Sequence, residues 1–287
     1  MSQSFGERLR TALQTHGPLC VGIDPHAALL DSWNLPQSAD GVRTFGLRVV
    51  EAAAEQVGVV KPQVSFFERF GSRGYAALED VLAAAREAGL LIVADAKRGD
   101  LDTTMAAYGE AWFGSGSPLE ADALTLSPIL GPDSLRDVLA TALAGGKGAF
   151  VLGATSNPDG EIVQRARTVD AGAGDDESVA RRVAREVAAL DPVPQDGESL
   201  GSIGLVIGAT IDRSRFGLDD EILASSPILA PGFGAQGAEP ADLVARFGAV
   251  SRNVLASESR SILSAGSSGI VDRIRQRAAL YQENHGG

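Results

Sequence analysis

Six consecutive residues, Asp95-Ala96-Lys97-Arg98-Gly99-Asp100, set two carboxylates around one ammonium. They follow the apolar run Leu90–Ala94, where a buried strand should end. The composition singles out the ammonium. Of 25 basic residues only Lys61, Lys97 and Lys147 are lysines. Arginine keeps its proton near neutral pH, whereas lysine gives it up when its surroundings permit. A chain that uses arginine for nearly every positive charge therefore marks Lys97 as a candidate proton donor. Asp95 and Lys97 are two apart, so an extended backbone would send both side chains to one side. Asp100 falls beyond Gly99, in a turn, and is free to point elsewhere. An ammonium held by carboxylates is a poor Schiff-base nucleophile and a suitable acid. Lys61, before Pro62 at the end of another apolar run, would complete a row of alternating charge with Asp95 and Lys97.

The elements that must carry these groups repeat along the chain. Apolar strand-like runs occupy residues 19–24, 58–64, 90–95, 121–126, 148–152, 203–207, 227–230 and 250–256, eight in all. Several are apolar on both faces, as parallel strands covered by helices should be. Between them lie helical stripes: Leu78, Val81, Leu82 and Ala85; Val179, Val183, Val187 and Leu190; Ile270, Ile274, Ala278 and Tyr281. Eight strands, each followed by a helix, predict one (β/α)8 TIM barrel over residues 1–287, with a capping helix at about Phe5–Thr15. Segments rich in Gly, Asp, Pro and Ser near 157–178 and 191–202 read as surface-loop insertions.

Barrel chemistry gathers at the C-terminal ends of the strands. Those ends carry Asp24, Lys61, Asp95 with Lys97, Ser127, Thr155 to Asn157, Thr210, Gly232 to Gly237, and Ser259-Arg260. The stretch Gly232-Phe233-Gly234-Ala235-Gln236-Gly237 matches G-x-G-x-x-G, and Glu258 lies about 20 residues on, as in a dinucleotide fold. The order is wrong for that fold, because the motif sits in the seventh βα unit. In a barrel, glycine-rich backbone after strand seven suits a phosphate, and Arg260 after strand eight would add a two-pronged contact.

Composition bounds the rest. The net charge of −12 argues against a general nucleic-acid or membrane-surface binder. No apolar run approaches the roughly 20 residues that span a bilayer. The single cysteine, Cys20, lies in an apolar run and reads as a core residue of a protein from a reducing compartment. The N-terminus has no basic region followed by an apolar stretch, so the cytoplasm is the expected location. The histidines His16, His26 and His285 are too scattered for a metal site.

These residues resemble the orotidine 5′-phosphate decarboxylase family, in its longer bacterial (type 2) subgroup. The family mark Asp-x-Lys-x-x-Asp is present as Asp95, Lys97 and Asp100. Agreement continues through Val21-Gly22-Ile23-Asp24-Pro25, Lys61-Pro62-Gln63, Thr125-Leu126-Ser127-Pro128, Ala230-Pro231-Gly232-Phe233-Gly234 and Ser259-Arg260, from about residue 18 to about 265. The resemblance implies a decarboxylase in pyrimidine synthesis that works without metal or cofactor. Lys97 would protonate C6 beside Asp95. Lys61 and Asp24 would contact the ribose, and Ser127 the pyrimidine. Pro231, Gly234, Gln236 and Arg260 would surround the phosphate. Asp100 and Thr104 would cross into the neighbouring subunit's site of a homodimer. In family members with a longer loop after Pro231, that loop closes over the phosphate. Here the segment from Pro231 to Gln236 is compact, which leaves the choice of lid open between it and Thr155 to Pro158. Two other readings stand beside this one: a Mg2+-dependent phosphosugar lyase or decarboxylase using Asp95 and Asp100 as ligands, and a non-catalytic nucleotide-binding barrel.

Overall fold

The computed structural model describes residues 3–169, 176–194 and 198–285. Eight parallel strands close on themselves in sequence order: β1 Leu19–Ile23, β2 Val59–Pro62, β3 Leu91–Arg98, β4 Ala123–Leu126, β5 Gly148–Ala154, β6 Ile203–Ile207, β7 Ile228–Pro231 and β8 Val254–Glu258. Closure is made by β8 on β1, where Leu19 pairs with Ala256 and Cys20 with Ser257.

Alternation along each strand divides the core in two. One set of side chains points outward under the helices. Val21, Val60, Ile92 and Leu124 belong to it, packed with Phe45 and Val49, Leu78 and Val81, and Ile270 and Ile274. The other set fills the barrel: Cys20, Val59, Val93, Ala123, Phe150, Val206, Leu229 and Leu255. Phe5 and Leu9 of the helix Phe5–His16 plug its N-terminal end, and the Phe5 ring meets Phe150 edge-on at 6.1 Å. Ser4 caps that helix in a box with Glu7, which fixes where the plug begins. Filled to this level, the barrel leaves only its C-terminal mouth for chemistry. Cys20 lies in the interior layer, and burial pushes its thiol up to about 12.

The structure departs from the expected rhythm at three places. Between β6 and β7 there is only a 3-10 turn, Arg213–Phe216, among the described residues, so that βα unit lacks its helix. Residues Gly248–Asn253 form 3-10 helix rather than strand, and β8 starts at Val254 and runs on to Glu258. Strand β3 continues past Asp95 to Arg98. The helices Pro158–Gln164 and Val179–Leu190 follow β5. Parts of the two expected insertions, 170–175 and 195–197, lie outside the described residues. Among the described residues no helix is long and apolar enough to cross a membrane.

Candidate active site

One layer above the filled interior, the inward positions turn polar. Lys61 stands two residues beyond Val59, Asp95 two beyond Val93, and Thr125 two beyond Ala123. The same period that buries the lower layer therefore delivers an ammonium, a carboxylate and a hydroxyl to the mouth. Asp95 is 7% exposed and Lys61 6%. Lys61 Nζ donates to Asp95 Oδ2 at 2.9 Å, and Lys97 Nζ donates to Oδ1 at 2.6 Å. Thr125 Oγ1 also donates to Oδ1, at 3.0 Å. The predicted row of alternating charge thus exists, with Asp95 at its centre.

Lys97 reaches that row by a route other than strand alternation. Its backbone sits at φ 50°, in the left-handed region, and the β3–β4 register shifts between Ala94 and Arg98. A bulge at the strand end re-aims the side chain. The turned backbone is held where it is. Lys97 N–H donates to Thr125 Oγ1 at 2.9 Å, and Arg98 C=O accepts from Ser127 N–H at 2.7 Å. Arg98 is anchored in turn by Glu68 at 2.6 Å. The Lys97 side chain is 46% exposed against 10% for Asp95, so it spans from the open mouth down to the buried carboxylate.

The charges tune one another. Burial would push the Asp95 carboxyl up, but Lys61 and then Lys97 outweigh it and hold the group well below the usual carboxylate range. Burial would push the Lys61 ammonium down; Asp95 and then Asp24 outweigh it and hold the group above the usual lysine range. Asp24 follows β1, and its Oδ1 is buried without a hydrogen-bond partner. Such an orphaned acceptor is costly unless a ligand or water satisfies it.

Asp100 does not join the row within its own chain: its Oδ1 accepts from Leu101 N–H at 2.8 Å. Thr104 is exposed on the helix Asp102–Phe113. Ser127 is half-buried beside the bulge. Across the mouth, Pro231 pairs with Ser257, which seats the glycine-rich loop after β7 beside Ser259-Arg260 after β8. Gly234 has φ 69°, and a β-carbon on it would lie 2.5 Å from Ser261 Cβ, so the two loops touch where only glycine fits. Gln236 and Arg260 are both exposed on these loops. After β5, Gln164 accepts from Thr155 N–H and donates to Thr155 Oγ1, both at 2.9 Å, tying the Thr155–Asn157 segment to the helix behind it.

Of the site residues read from sequence, Lys61, Asp95 and Lys97 therefore meet in the charged row, and Pro231, Gly234, Gln236 and Arg260 lie on the pair of loops. Asp24, Asp100, Thr104 and Ser127 make no hydrogen bond to the row. Thr125 escaped that reading as a separate site residue. Its signal was present, since it is the one hydroxyl in the apolar run Ala123–Leu126 and shares the inward parity of Ala123. Glu258, weighed above only as part of a dinucleotide pattern, is fully buried and bonded to Arg277, Tyr281 and Ser261.

Known proteins are similar to this one over nearly the whole chain. A Streptomyces coelicolor protein named orotidine 5′-phosphate decarboxylase is 49% identical over 265 residues, 92% of this chain and 91% of that one. A Salinispora tropica protein of the same name is 46% identical over 285 residues, covering 97% and 99%. The crystal structure of a putative orotidine 5′-phosphate decarboxylase from Streptomyces avermitilis superposes with a TM-score of 0.91 at 46% identity, covering 100% of this chain and 97% of that one. The sequence model described as the orotidine 5′-phosphate decarboxylase / HUMPS family matches residues 17–268. With barrel, charged row and glycine-rich loop all inside that span, the chain belongs to the orotidine 5′-phosphate decarboxylase family.

Proposed function

We infer that this protein decarboxylates orotidine 5′-phosphate to uridine 5′-phosphate in pyrimidine synthesis. One observation carries the chemistry: the buried Asp95 carboxylate held between the Lys61 and Lys97 ammonium groups at the barrel mouth. Family membership and the names of the relatives supply the substrate.

The row carries two positive charges and one negative. A substrate carboxylate entering beside Asp95 makes it neutral. When the C6–carboxylate bond breaks, CO2 leaves and the electron pair stays at C6. The negative charge is conserved but moves to a carbon with little delocalisation. A fixed ammonium aimed at that carbon stabilises the transition state more than the ground state, which is what accelerates the step. The proton of Lys97 Nζ then passes to C6, and Lys97 is reprotonated from solvent. Enzymes lower barriers by about 8–23 kcal/mol in general, so one lysine cannot be the whole account. Binding energy from the phosphate supplies another share by assembling the pocket around the base.

In this reading Asp24 and Lys61 hold the ribose hydroxyls, and the unpartnered Asp24 Oδ1 is where one of them docks. Ser127 bonds the pyrimidine. Pro231, Gly234, Gln236 and Arg260 enclose the phosphate. The working unit is a homodimer in which Asp100 and Thr104 complete the partner's site. Two features support it: Asp100 is not paired with Lys97 of its own chain, and Leu101, Ile129 and Leu130, on the neighbouring loops after β3 and β4, are 50%, 73% and 51% exposed. The protein acts in the cytoplasm, with a nucleotide as its partner rather than nucleic acid or membrane. No metal or other cofactor takes part.

The test is the ultraviolet change of orotidine 5′-phosphate on conversion, followed with excess chelator present. Full turnover is expected. Activity that dies with chelation returns the site to the Mg2+-dependent reading, and no turnover under any condition returns it to a binding protein.

A further inference from the structure

Glu258 is a fully buried carboxylate at the end of β8. Its Oε1 accepts from Arg277 Nη2 at 2.7 Å, from Arg277 Nε at 3.1 Å and from Tyr281 Oη at 2.7 Å. Its Oε2 accepts from Ser261 Oγ at 2.6 Å. Both oxygens are thus satisfied from two directions: the C-terminal helix Gly266–His285, and the turn that presents Arg260.

The same helix also grips the other loop. Arg277 Nη1 donates to Glu239 Oε2 at 3.0 Å, just past the glycine-rich segment. The Tyr281 ring stacks edge-on against Phe233 at 5.8 Å, inside that segment. A β-carbon on Gly234 would lie 2.9 Å from Glu258 Oε2. Arg273 Nη1 donates to Ser261 C=O at 2.7 Å, one turn along the helix. Arg277 and Tyr281 therefore each join the glycine-rich side to Glu258 at the end of β8, and Glu258 in turn holds Ser261 of the Arg260 turn. Burial and the adjacent Glu258 raise the Tyr281 hydroxyl far above its ordinary range, so it stays a donor. Their hydrogen bonds run to one another, to Glu239 and to Ser261, not to the charged row at Asp95.

We propose that Glu258, Arg277 and Tyr281 are positioning residues for the substrate phosphate, locking the loop of Gly234 and Gln236 against the loop of Arg260. A phosphate held by two loops is gripped only if their separation is set before it arrives; this is preorganisation of the binding groups. The C-terminal helix sets that separation from behind. The inference rests on the function proposed above and adds to it the device that aligns the two halves of the phosphate site.

The experiment compares two substrates: orotidine 5′-phosphate, and orotidine, which lacks the phosphate. The variants are Tyr281→Phe, which removes one hydroxyl and keeps the ring on Phe233, Arg277→Lys and Glu258→Gln, with Arg260→Ala as the benchmark. Each positioning variant should lower kcat/KM for orotidine 5′-phosphate by about tenfold or more while leaving kcat/KM for orotidine unchanged. Arg260→Ala should show the same selectivity. Equal losses on both substrates would make the network a general scaffold and overturn the proposal, as would no loss on either. If Glu258→Gln fails to fold, as judged by its melting curve, Tyr281→Phe alone decides. A wild-type protein inactive on orotidine 5′-phosphate overturns the functional reading itself, and this inference with it; active wild type with unaltered variants overturns the network alone.

Discussion

Lys97 meets the Asp95 carboxylate at 2.6 Å from a backbone turned to φ 50°, so their pairing is the product of a bulge and not of strand geometry. A left-handed conformation is uncommon for a residue with a side chain and persists where its surroundings hold it. Here Thr125 and the Arg98–Ser127 bond do so. The outcome is a lysine held at one end of the row, which is where the proposed reaction needs charge stabilised and a proton delivered. Lys97→Ala should abolish turnover, because stabilisation and acid vanish together. Uridine 5′-phosphate should still bind in a calorimetric titration, since the phosphate loops are untouched. Near-normal turnover in this variant would falsify the assignment of the proton donor.

Asp95, assigned above to the proposed reaction, also bears on stability. Its folded-state carboxyl is held below the usual range, so its contribution is fully present above the unfolded value of about 4 and is lost as pH falls through the lower folded value. Lys61 is held above the usual range, so its share is present below about 10.4 and is lost as pH rises through the higher folded value. Between these limits Asp95→Asn leaves the buried Lys61 ammonium without its partner. Breaking a buried pair costs about 3–5 kcal/mol. The variant should melt on the order of 5–10 °C below wild type at pH 7, and the gap should narrow below about pH 4. A gap that stays constant into acid would show that Asp95 is not the linked group.

The sequence reading succeeded where one periodicity governs. Each of the eight strands overlaps its expected run, though β3, β5, β7 and β8 run past the expected end, because parallel barrel strands are short and apolar on both faces. Lys61 and Asp95 were placed by the same alternation that places Val59 and Val93. It failed where tertiary context decides. Alternation predicted the right neighbour for Lys97 by the wrong geometry, since a bulge leaves no mark in composition. The helix expected after β6 is absent among the described residues. The link from Glu258 to Arg277 and Tyr281 spans 19 and 23 residues and depends on how the last helix packs, which no local pattern reports.

Thr125 supports both members of the pair. Its Oγ1 donates to Asp95 Oδ1 at 3.0 Å and accepts from Lys97 N–H at 2.9 Å. Thr125→Val keeps the shape and removes both bonds. The Lys97 amide then loses its acceptor, at a cost of about 1–3 kcal/mol, and the bulge loosens. We expect kcat to fall by roughly ten- to a hundredfold. The affinity for uridine 5′-phosphate should change little, because Thr125 touches neither phosphate loop. Unchanged kcat alongside lower thermal stability would reduce Thr125 to a purely structural role.

The subunit assignment of Asp100 is open to a test by mixing. If each site takes Lys97 from one chain and Asp100 from its partner, Lys97→Ala and Asp100→Ala chains each form dead homodimers. A mixed dimer restores one site, built from the intact Lys97 of one chain and the intact Asp100 of the other; its second site carries both lesions. Random reassortment makes about half the dimers mixed, so activity should recover to about a quarter of wild type. The exposed Leu101, Ile129 and Leu130 beside Asp100 give the surface on which chains would meet. Charging that surface with Ile129→Asp should abolish the recovery and shift the sedimenting species to a monomer. Mixtures that stay inactive while sedimenting as reassorted dimers would place Asp100 in the site of its own chain.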